Sequence, residues 1–299
     1  GYFIDKYIAL SHTRLSIIDI EKGNQPMTDS RSGLTIVFNG EIVNYKNLKK
    51  ILNEQYQSYI TDHSDTEVIL KLYELYEDKC VEYLQGMFSF AIWDSNKKKL
   101  FIGRDHLGIK PLYYCDTNYG FIFASEIKTI CQIKNKIFKI ENQIDENLLN
   151  EYLVFGNIYG KKTLFKDICS LRPGHTLSIK GKQKNYHKYW SPTKKIDESL
   201  ENKSESSIID ELDHLIKTVF SEWSISDVET GMFLSSGLDS NLINILMHQN
   251  VDIKKFLLNF SGSKLQENEY EILKKNLGNK IQKINQIDTS EEEIFNNLD

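Results

Sequence analysis

The chain has 299 residues, 40% of them hydrophobic and 26% charged, with only 4 Pro. That is the make-up of a globular protein long enough for two domains, and it excludes collagen-like, mucin-like and wholly disordered readings. Lys+Arg 37 against Asp+Glu 42 gives a net charge of -5, the wrong sign for affinity built on neutralising a phosphate backbone, so nucleic acid is not an expected partner.

Gly1-Tyr2-Phe3-Ile4-Asp5-Lys6 lacks the regions of a signal peptide, and no apolar run approaches the roughly 20 residues that cross a bilayer. A cytoplasmic location with no membrane partner is the expectation. Cys80, Cys115, Cys131 and Cys169 form no CxxC pair and are expected as buried free thiols.

In chain order, Leu34 to Phe38, Phe88 to Trp93, Leu100 to Gly103 and Gly120 to Ala124 are short β-prone runs ended by turn residues. Between the first two lie a short apolar stripe at Leu48 to Leu52 and a helical pattern from Thr66 to Leu84, started by Ser64-Asp65-Thr66-Glu67. This half reads as α+β. The stretch 191–207 is polar and aperiodic, which predicts a linker. Beyond it, an amphipathic helix over Ile208 to Phe220, a strand over Gly231 to Leu234, a helix over Asn241 to Met247 and a strand over Lys255 to Phe260 predict the start of a parallel α/β sheet.

Met232-Phe233-Leu234-Ser235-Ser236-Gly237-Leu238-Asp239-Ser240-Asn241 runs from an apolar strand, through small residues, into an apolar-faced helix. Small residues let backbone amides approach an anion, and a helix N-terminus adds roughly half a positive charge. Asp239 fits a phosphate site only by holding a divalent cation that bridges to phosphate oxygens. Neither a Walker A pattern nor GxGxxG is present. The run resembles SGGxDS, the pyrophosphate loop of ATP pyrophosphatases that activate carboxylates by adenylation, with Ser236 in place of the second Gly.

Upstream, Arg14-Leu15-Ser16-Ile17-Ile18-Asp19, Phe38-Asn39-Gly40-Glu41-Ile42-Val43-Asn44 and Ser64-Asp65-Thr66-Glu67-Val68-Ile69 follow in order, with Arg104-Asp105-His106-Leu107-Gly108-Ile109-Lys110-Pro111 and Leu171-Arg172-Pro173-Gly174-His175 after them. These blocks resemble the landmarks of the glutamine-hydrolysing asparagine synthetase family, over residues 14 to about 278. The residue chemistry agrees. A glutamine pocket wants a guanidinium for the carboxylate and carboxylates for the ammonium, for which Arg14, Glu41 and Asp65 are candidates. Amide hydrolysis passes through an oxyanion that an amide donor and a backbone N–H stabilise, and Asn39 and Gly40 offer both. Taken singly, Asn39-Gly40 also reads as a hairpin turn, Asp65 as a helix cap and Arg14 as a surface ion pair. Arg104, Asp105 and Lys110 read as a solvated charged turn without a catalytic step. His12, His63, His106 and His175 are scattered, and each reads as structural.

The resemblance implies an N-terminal-nucleophile αββα sandwich over 1–190 and part of an ATP pyrophosphatase domain over 208–299. It adds Leu15, Ser16, Ile17 and Ile18 to the glutamine-binding residues. It assigns ATP to Leu234, Ser235, Ser236, Gly237, Leu238, Asp239, Ser240 and Leu258, with Leu234 and Leu258 flanking adenine and ribose and Mg²⁺ at Asp239. Ammonia from glutamine would attack an acyl-adenylate of aspartate, and a homodimer is left open. In the family the nucleophile is an N-terminal Cys whose own amine is the base. Gly1 is therefore expected to be internal to a longer protein, and this chain to be inactive alone. Two other readings stay open: the same chemistry on another carboxylate, such as a sugar acid of a surface polysaccharide, and a non-catalytic truncated homologue. Lys255 to Phe260 is expected as an unpaired edge strand prone to aggregation.

Overall fold

The computed structural model describes residues 1–14, 23–53, 64–195, 198–247, 253–260, 269–278 and 284–297. The chain divides into two compact units, Gly1–Asp197 and Glu198–Asp299.

The first unit contains β1 (Tyr2–Ile4), β2 (Ala9–Ser11), β3 (Met27–Asp29), β4 (Leu34–Ile42), α1 (Tyr45–Asn53), α2 (Asp65–Tyr76), β5 (Gly86–Asp94), β6 (Lys99–Arg104), β7 (Tyr113–Thr117), β8 (Gly120–Ala124), α3 (Ile127–Gln132), α4 (Glu146–Phe155), β9 (Ile168–Ser170), β10 (His175–Lys180) and β11 (Gln183–Lys188). Six strands pair antiparallel in the order β11-β10-β6-β5-β4-β3, three more in the order β8-β7-β9, and β1 and β2 form a hairpin.

Side chains alternate between faces along a strand, and both faces of the large sheet are covered. One carries Val37, Ala91, Trp93, Ile102 and Leu177, which pack with Leu112, Tyr114 and Leu171 and against Phe121 and Phe123 of the small sheet. On the other face Phe90 and Phe101 lie 5.8 Å apart between ring centres, and Tyr73 of α2 stacks on Phe101 at 5.3 Å. The far face of the small sheet, with Cys115, Ile122 and Ile168, is closed by Ile127 and Ile130 of α3. The layers are helix, sheet, sheet, helix, as the family resemblance implies.

Several local expectations change. The helix expected to reach Leu84 ends at Tyr76, because Glu77 sits at φ 49°, a conformation that breaks a right-handed helix. A tight 3₁₀ turn over Glu77–Tyr83 carries the apolar pattern onward, burying Cys80 and Val81. Periodicity alone does not separate the two helix types. Strands β1, β2, β3, β7, β9, β10 and β11, short or half-polar, were not predicted.

The second unit contains α5 (Glu205–Trp223), β12 (Gly231–Phe233), α6 (Leu238–Met247), β13 (Lys254–Phe260), α7 (Glu269–Leu277), β14 (Ile284–Thr289) and α8 (Glu291–Asn296). Its sheet is parallel in the order β12-β13-β14, around a core of Leu234, Leu257 and Leu273. The expected edge strand is therefore the central one: β14, whose Ile-Asn-Gln-Ile-Asp-Thr run gives a weak strand signal, covers the side that the sequence left open. The polar stretch 191–207 contains 3₁₀ turns at Pro192–Lys195 and Glu198–Asn202, and its end belongs to α5, where the Ser204 hydroxyl caps the Ser207 N–H. No described helix is long and apolar enough to cross a membrane.

Candidate active site

The antiparallel ladder decides which way the amides of β4 point. Phe38, Gly40 and Ile42 share one hydrogen-bonding side by alternation. The Phe38 N–H donates to Gln25 Oε1 at 2.6 Å, and the Ile42 N–H to Asp65 Oδ2 at 3.2 Å. Gly40 stands opposite Phe88 on β5, but Phe88 spends its own N–H and carbonyl on Asp105, at 3.2 and 2.8 Å. The Gly40 amide is thus turned away from β5, on the side that β3 has left, since β3 pairs with β4 only as far as Ile36. Asn39-Gly40 is therefore not a hairpin turn but the interior of a strand.

Only glycine fits there. Gly40 has φ +148°, and a Cβ would stand 2.0 Å from the Met87 carbonyl oxygen and 2.7 Å from Phe88 Cα. The missing side chain lets the two strands close and leaves the amide accessible.

Arg14, Asn39, Gly40, Glu41 and Asp65 line one cavity of about 1280 Å³ in the first unit. Leu15, Ser16, Ile17 and Ile18 lie outside the described residues, as does His63. Three further residues, His12, Gln25 and Lys110, also stand on the cavity wall, although no site role was expected of them. Burial pushes the Asp65 carboxyl up to about 6, with the Glu41 charge working the same way, while the Ile42 and Thr66 amides and the Arg14 charge pull it down. Burial also raises Glu41, against the pull of Lys110. Two half-starved carboxylates on one wall are poised to take a cation that replaces their lost hydration. Asp65 is the first residue of α2, and besides the Thr66 amide of its own helix it reaches Ile42 on β4.

Arg104 and Asp105 are not a solvated turn. The Asp105 carboxylate, 1% exposed, accepts the amides of Phe88, Leu107, Ile109 and Lys110. Arg104 donates to the carbonyls of Gly108, Lys110 and Leu171 and to Ser170 Oγ. Together they lock the loop that carries Lys110 to the cavity. His106 fits this frame: its ring meets those of Phe88, Tyr189 and Trp190 edge-on at 5.3 to 6.2 Å. His175 Nδ1 lies 2.8 Å from the Pro173 carbonyl oxygen.

None of the four thiols lines the cavity. All are free; Cys80 and Cys115 are buried and Cys131 and Cys169 half-buried. Burial raises Cys80 far above the usual thiol value and Cys115 to about 11, which makes both poor nucleophiles.

In the second unit the loop from Leu234 to Ser240 is built from its own side chains. Ser240 Oγ meets Ser235 Oγ at 2.8 Å and bonds the carbonyls of Ser235 and Gly237 at 3.0 and 3.1 Å. Asn241 Nδ2 donates to the same two carbonyls at 3.2 and 2.7 Å. The Ser236 N–H donates to a carboxylate oxygen of Glu269 at 3.1 Å. That amide therefore already takes an anionic oxygen, which is what a phosphate-holding loop must do. Gly237, Leu238 and Asp239 are exposed, and Leu258 is 42% exposed. Leu234 is 3% exposed in the core, with its N–H on the Phe256 carbonyl, so its side chain packs rather than facing a ligand. Among the described residues no group of three or more His, Cys, Asp or Glu is placed to hold a metal ion.

Residues 1–190 match the family described as a glutamine amidotransferase domain, and residues 211–282 match the asparagine synthase family. Glutamine-hydrolyzing asparagine synthetase 1 of Bacillus subtilis is 34% identical over 266 residues, 87% of this chain and 40% of that protein. A putative glutamine-hydrolyzing asparagine synthetase 2 of Methanocaldococcus jannaschii is 34% identical over 284 residues, 88% of this chain and 54% of its own. The amidase chry2 of Gibberella zeae is 30% identical over 246 residues, 81% of this chain and 35% of its own. The chain thus spans between about a third and about half the length of these curated relatives. Among solved structures, the glutamine phosphoribosylpyrophosphate amidotransferase of B. subtilis overlays 60% of this chain and 34% of its own, with a TM-score of 0.40 and 20% identity.

Proposed function

The chain belongs to the glutamine amidotransferase domain family, and from that premise we propose that its first unit releases ammonia from glutamine, for a protein that uses it to make asparagine from aspartate and ATP. The observation that carries this reading is the gathering of Arg14, Asn39, Gly40, Glu41 and Asp65 on one cavity.

Arg14 holds the substrate carboxylate as a bidentate guanidinium. Glu41 and Asp65 hold the ammonium, whose arrival returns both carboxyls toward the ionised state. Leu15, Ser16, Ile17 and Ile18 complete the pocket. At the other end of the substrate, the Asn39 side chain and the outward Gly40 amide donate to the oxygen on which charge develops. They are placed before the reaction by the strand itself, so no reorganisation is spent at that moment. The attacking thiol is none of the four discussed above.

In the second unit the amides and hydroxyls of Ser235, Ser236, Gly237 and Ser240 hold the pyrophosphate of ATP at the start of α6. Leu238 and the backbone of Leu234 border the nucleotide, with Leu258 beside the ribose. The Ser236 amide on Glu269 supports an anion there, and Asp239 with phosphate oxygens supplies the hard oxygen donors that Mg²⁺ prefers. When bound, Mg²⁺ neutralises charge on the departing pyrophosphate. The substrates of this reading are those of the cytoplasm, where we place the protein.

The test uses the intact gene product with ATP, Mg²⁺, glutamine and aspartate, following glutamate, AMP and asparagine together. All three are expected. Glutamate without asparagine would keep the first unit's role and replace aspartate by another acceptor; absence of glutamate would overturn the reading.

A further inference from the structure

Met27 of β3 pairs with Ile36 of β4, so the antiparallel register sets Gln25 opposite Phe38 at the next rung. The ladder stops short of that rung, because β3 begins at Met27. The main-chain carbonyl oxygen of Gln25 is packed against Gly1 instead, where a Cβ would collide with it. The Gln25 side chain supplies the acceptor that the main chain does not: its Oε1 takes the Phe38 N–H at 2.6 Å. Gln25 is only 8% exposed, so little water competes for that bond.

Farther along the same edge of β4, the Ile42 N–H goes to Asp65 Oδ2 at 3.2 Å. Phe38 and Ile42 are thus each held by a side-chain oxygen brought from another segment. Gly40 lies between them, about 7 Å along the strand from either. Its partner position on β5, Phe88, is already engaged with Asp105. The edge therefore carries three amides in a row, two with fixed acceptors and a middle one turned to the cavity. In a strand the direction of an amide is set by its neighbours, and a tilt at Phe38 passes through Asn39 to Gly40.

We propose that Gln25 is a positioning residue for the oxyanion cradle: by replacing the missing rung of β3 it fixes the direction of the Asn39 side chain and the Gly40 amide. This rests on the glutamine reading above. Arg14, Glu41 and Asp65 hold the amino-acid end of the substrate, whereas Gln25 acts through the strand on the donors at the carboxamide end. Its influence therefore falls on the step in which charge develops on the oxygen. Donors that are slightly misplaced lose more against that developing charge than against the neutral carbonyl of the bound substrate.

The experiment measures glutamate release from glutamine by the intact gene product, in wild type, Gln25→Met and Gln25→Glu. Met keeps the length of the side chain and loses the acceptor. Its kcat per folded molecule is expected to fall roughly tenfold or more, with KM for glutamine within about twofold of wild type. Glu keeps an acceptor oxygen for Phe38 and adds a charge about 7 Å along the edge from the developing oxyanion. The ratio of its kcat to that of wild type is expected to be low at about pH 8 and to rise as pH falls and the carboxyl is neutralised. An unchanged kcat in Gln25→Met would overturn the proposal, as would a change confined to KM or a Gln25→Glu ratio that does not vary with pH. Should Gln25→Met fail to fold, the pH dependence of Gln25→Glu decides. If wild type releases no glutamate, the glutamine reading falls and takes this one with it. Glutamate release by wild type with any of the overturning patterns removes the Gln25 role alone.

Discussion

The amide cradle on β4 is held by residues far away in sequence, whereas the loop between β12 and α6 is held chiefly by its own. Phe38 leans on Gln25, 13 residues earlier, Ile42 on Asp65, 23 residues later, and Phe88 on Asp105, 17 residues later. In the loop, Ser240 ties to Ser235 over five residues and Asn241 over six, while Glu269 on the Ser236 N–H and Phe256 on the Leu234 N–H are its distant partners. A strand makes no internal hydrogen bonds, so the direction of each amide is set by its neighbours. A strand–loop–helix connection can satisfy its own polar groups with Ser and Asn side chains. Sensitivity to substitution should differ accordingly.

The largest expected effect comes from Gly40→Ala, which combines φ +148° with a Cβ 2.0 Å from a carbonyl oxygen. Both obstacles are backbone, so nothing nearby can move aside, and a loss of about 3 kcal/mol or more in urea denaturation is expected. A loss under about 1 kcal/mol would mean that β4 and β5 approach less closely than described.

Asp65→Asn sharpens the comparison through pH. The folded carboxyl sits at about 6 against an ordinary 3.8. The folded state therefore binds the proton more tightly, and stability is greatest below the lower value and is lost as pH rises through the upper one. An amide carries no charge to desolvate and can still accept the Ile42 N–H. Asp65→Asn should be more stable than wild type by roughly 3 kcal/mol at about pH 8, and the gap should close by about pH 4. The same variant should lose affinity for glutamine, measured by titration at about pH 8, because the ionised carboxylate is what meets the ammonium. A pH-independent difference in stability would remove Asp65 as the titrating group.

Ser240→Ala cuts the ties that close the second loop, at 2.8, 3.0 and 3.1 Å. With water able to replace them at a half-buried position, a loss of about 1 kcal/mol in denaturation is expected. Gly237→Ala closes the series. Its Cβ would meet only Ser235 Oγ at 3.3 Å, a side chain free to turn, so the change should stay within about 0.5 kcal/mol. If Gly237→Ala cost as much as Gly40→Ala, the contrast between the two cradles would fail.

Much of this was readable without coordinates. Strand runs such as Gly120 to Ala124 end where their turn residues stand, and the small-residue loop sits between a strand and a helix as its pattern requires. The candidate site residues Arg14, Asn39, Gly40, Glu41 and Asp65 could be named because their types agree with the family blocks that contain them, and all five line one cavity. Other features were hidden for definite reasons. The end of α2 depends on one left-handed residue, Glu77, which no propensity marks. Strand β14 is polar enough to pass for a loop until β13 supplies its partner. Asp105 looks like any charged turn residue until its carboxylate is seen to collect four amides.

The sequence by itself determined the chemistry on offer: a guanidinium, two carboxylates and an Asn-Gly pair in one half, a run of small hydroxyl residues before a helix in the other. Residue type carries that information and spacing along the chain preserves it. Only the tertiary structure decided which way the offers face. That Asn39-Gly40 is strand rather than turn, that the Gly40 amide is turned from β5 and that Asp65 is half-protonated near pH 6 all follow from contacts between distant segments. The direction of an amide and the pKa of a buried group are properties of surroundings, and the surroundings exist only once the sheets have packed.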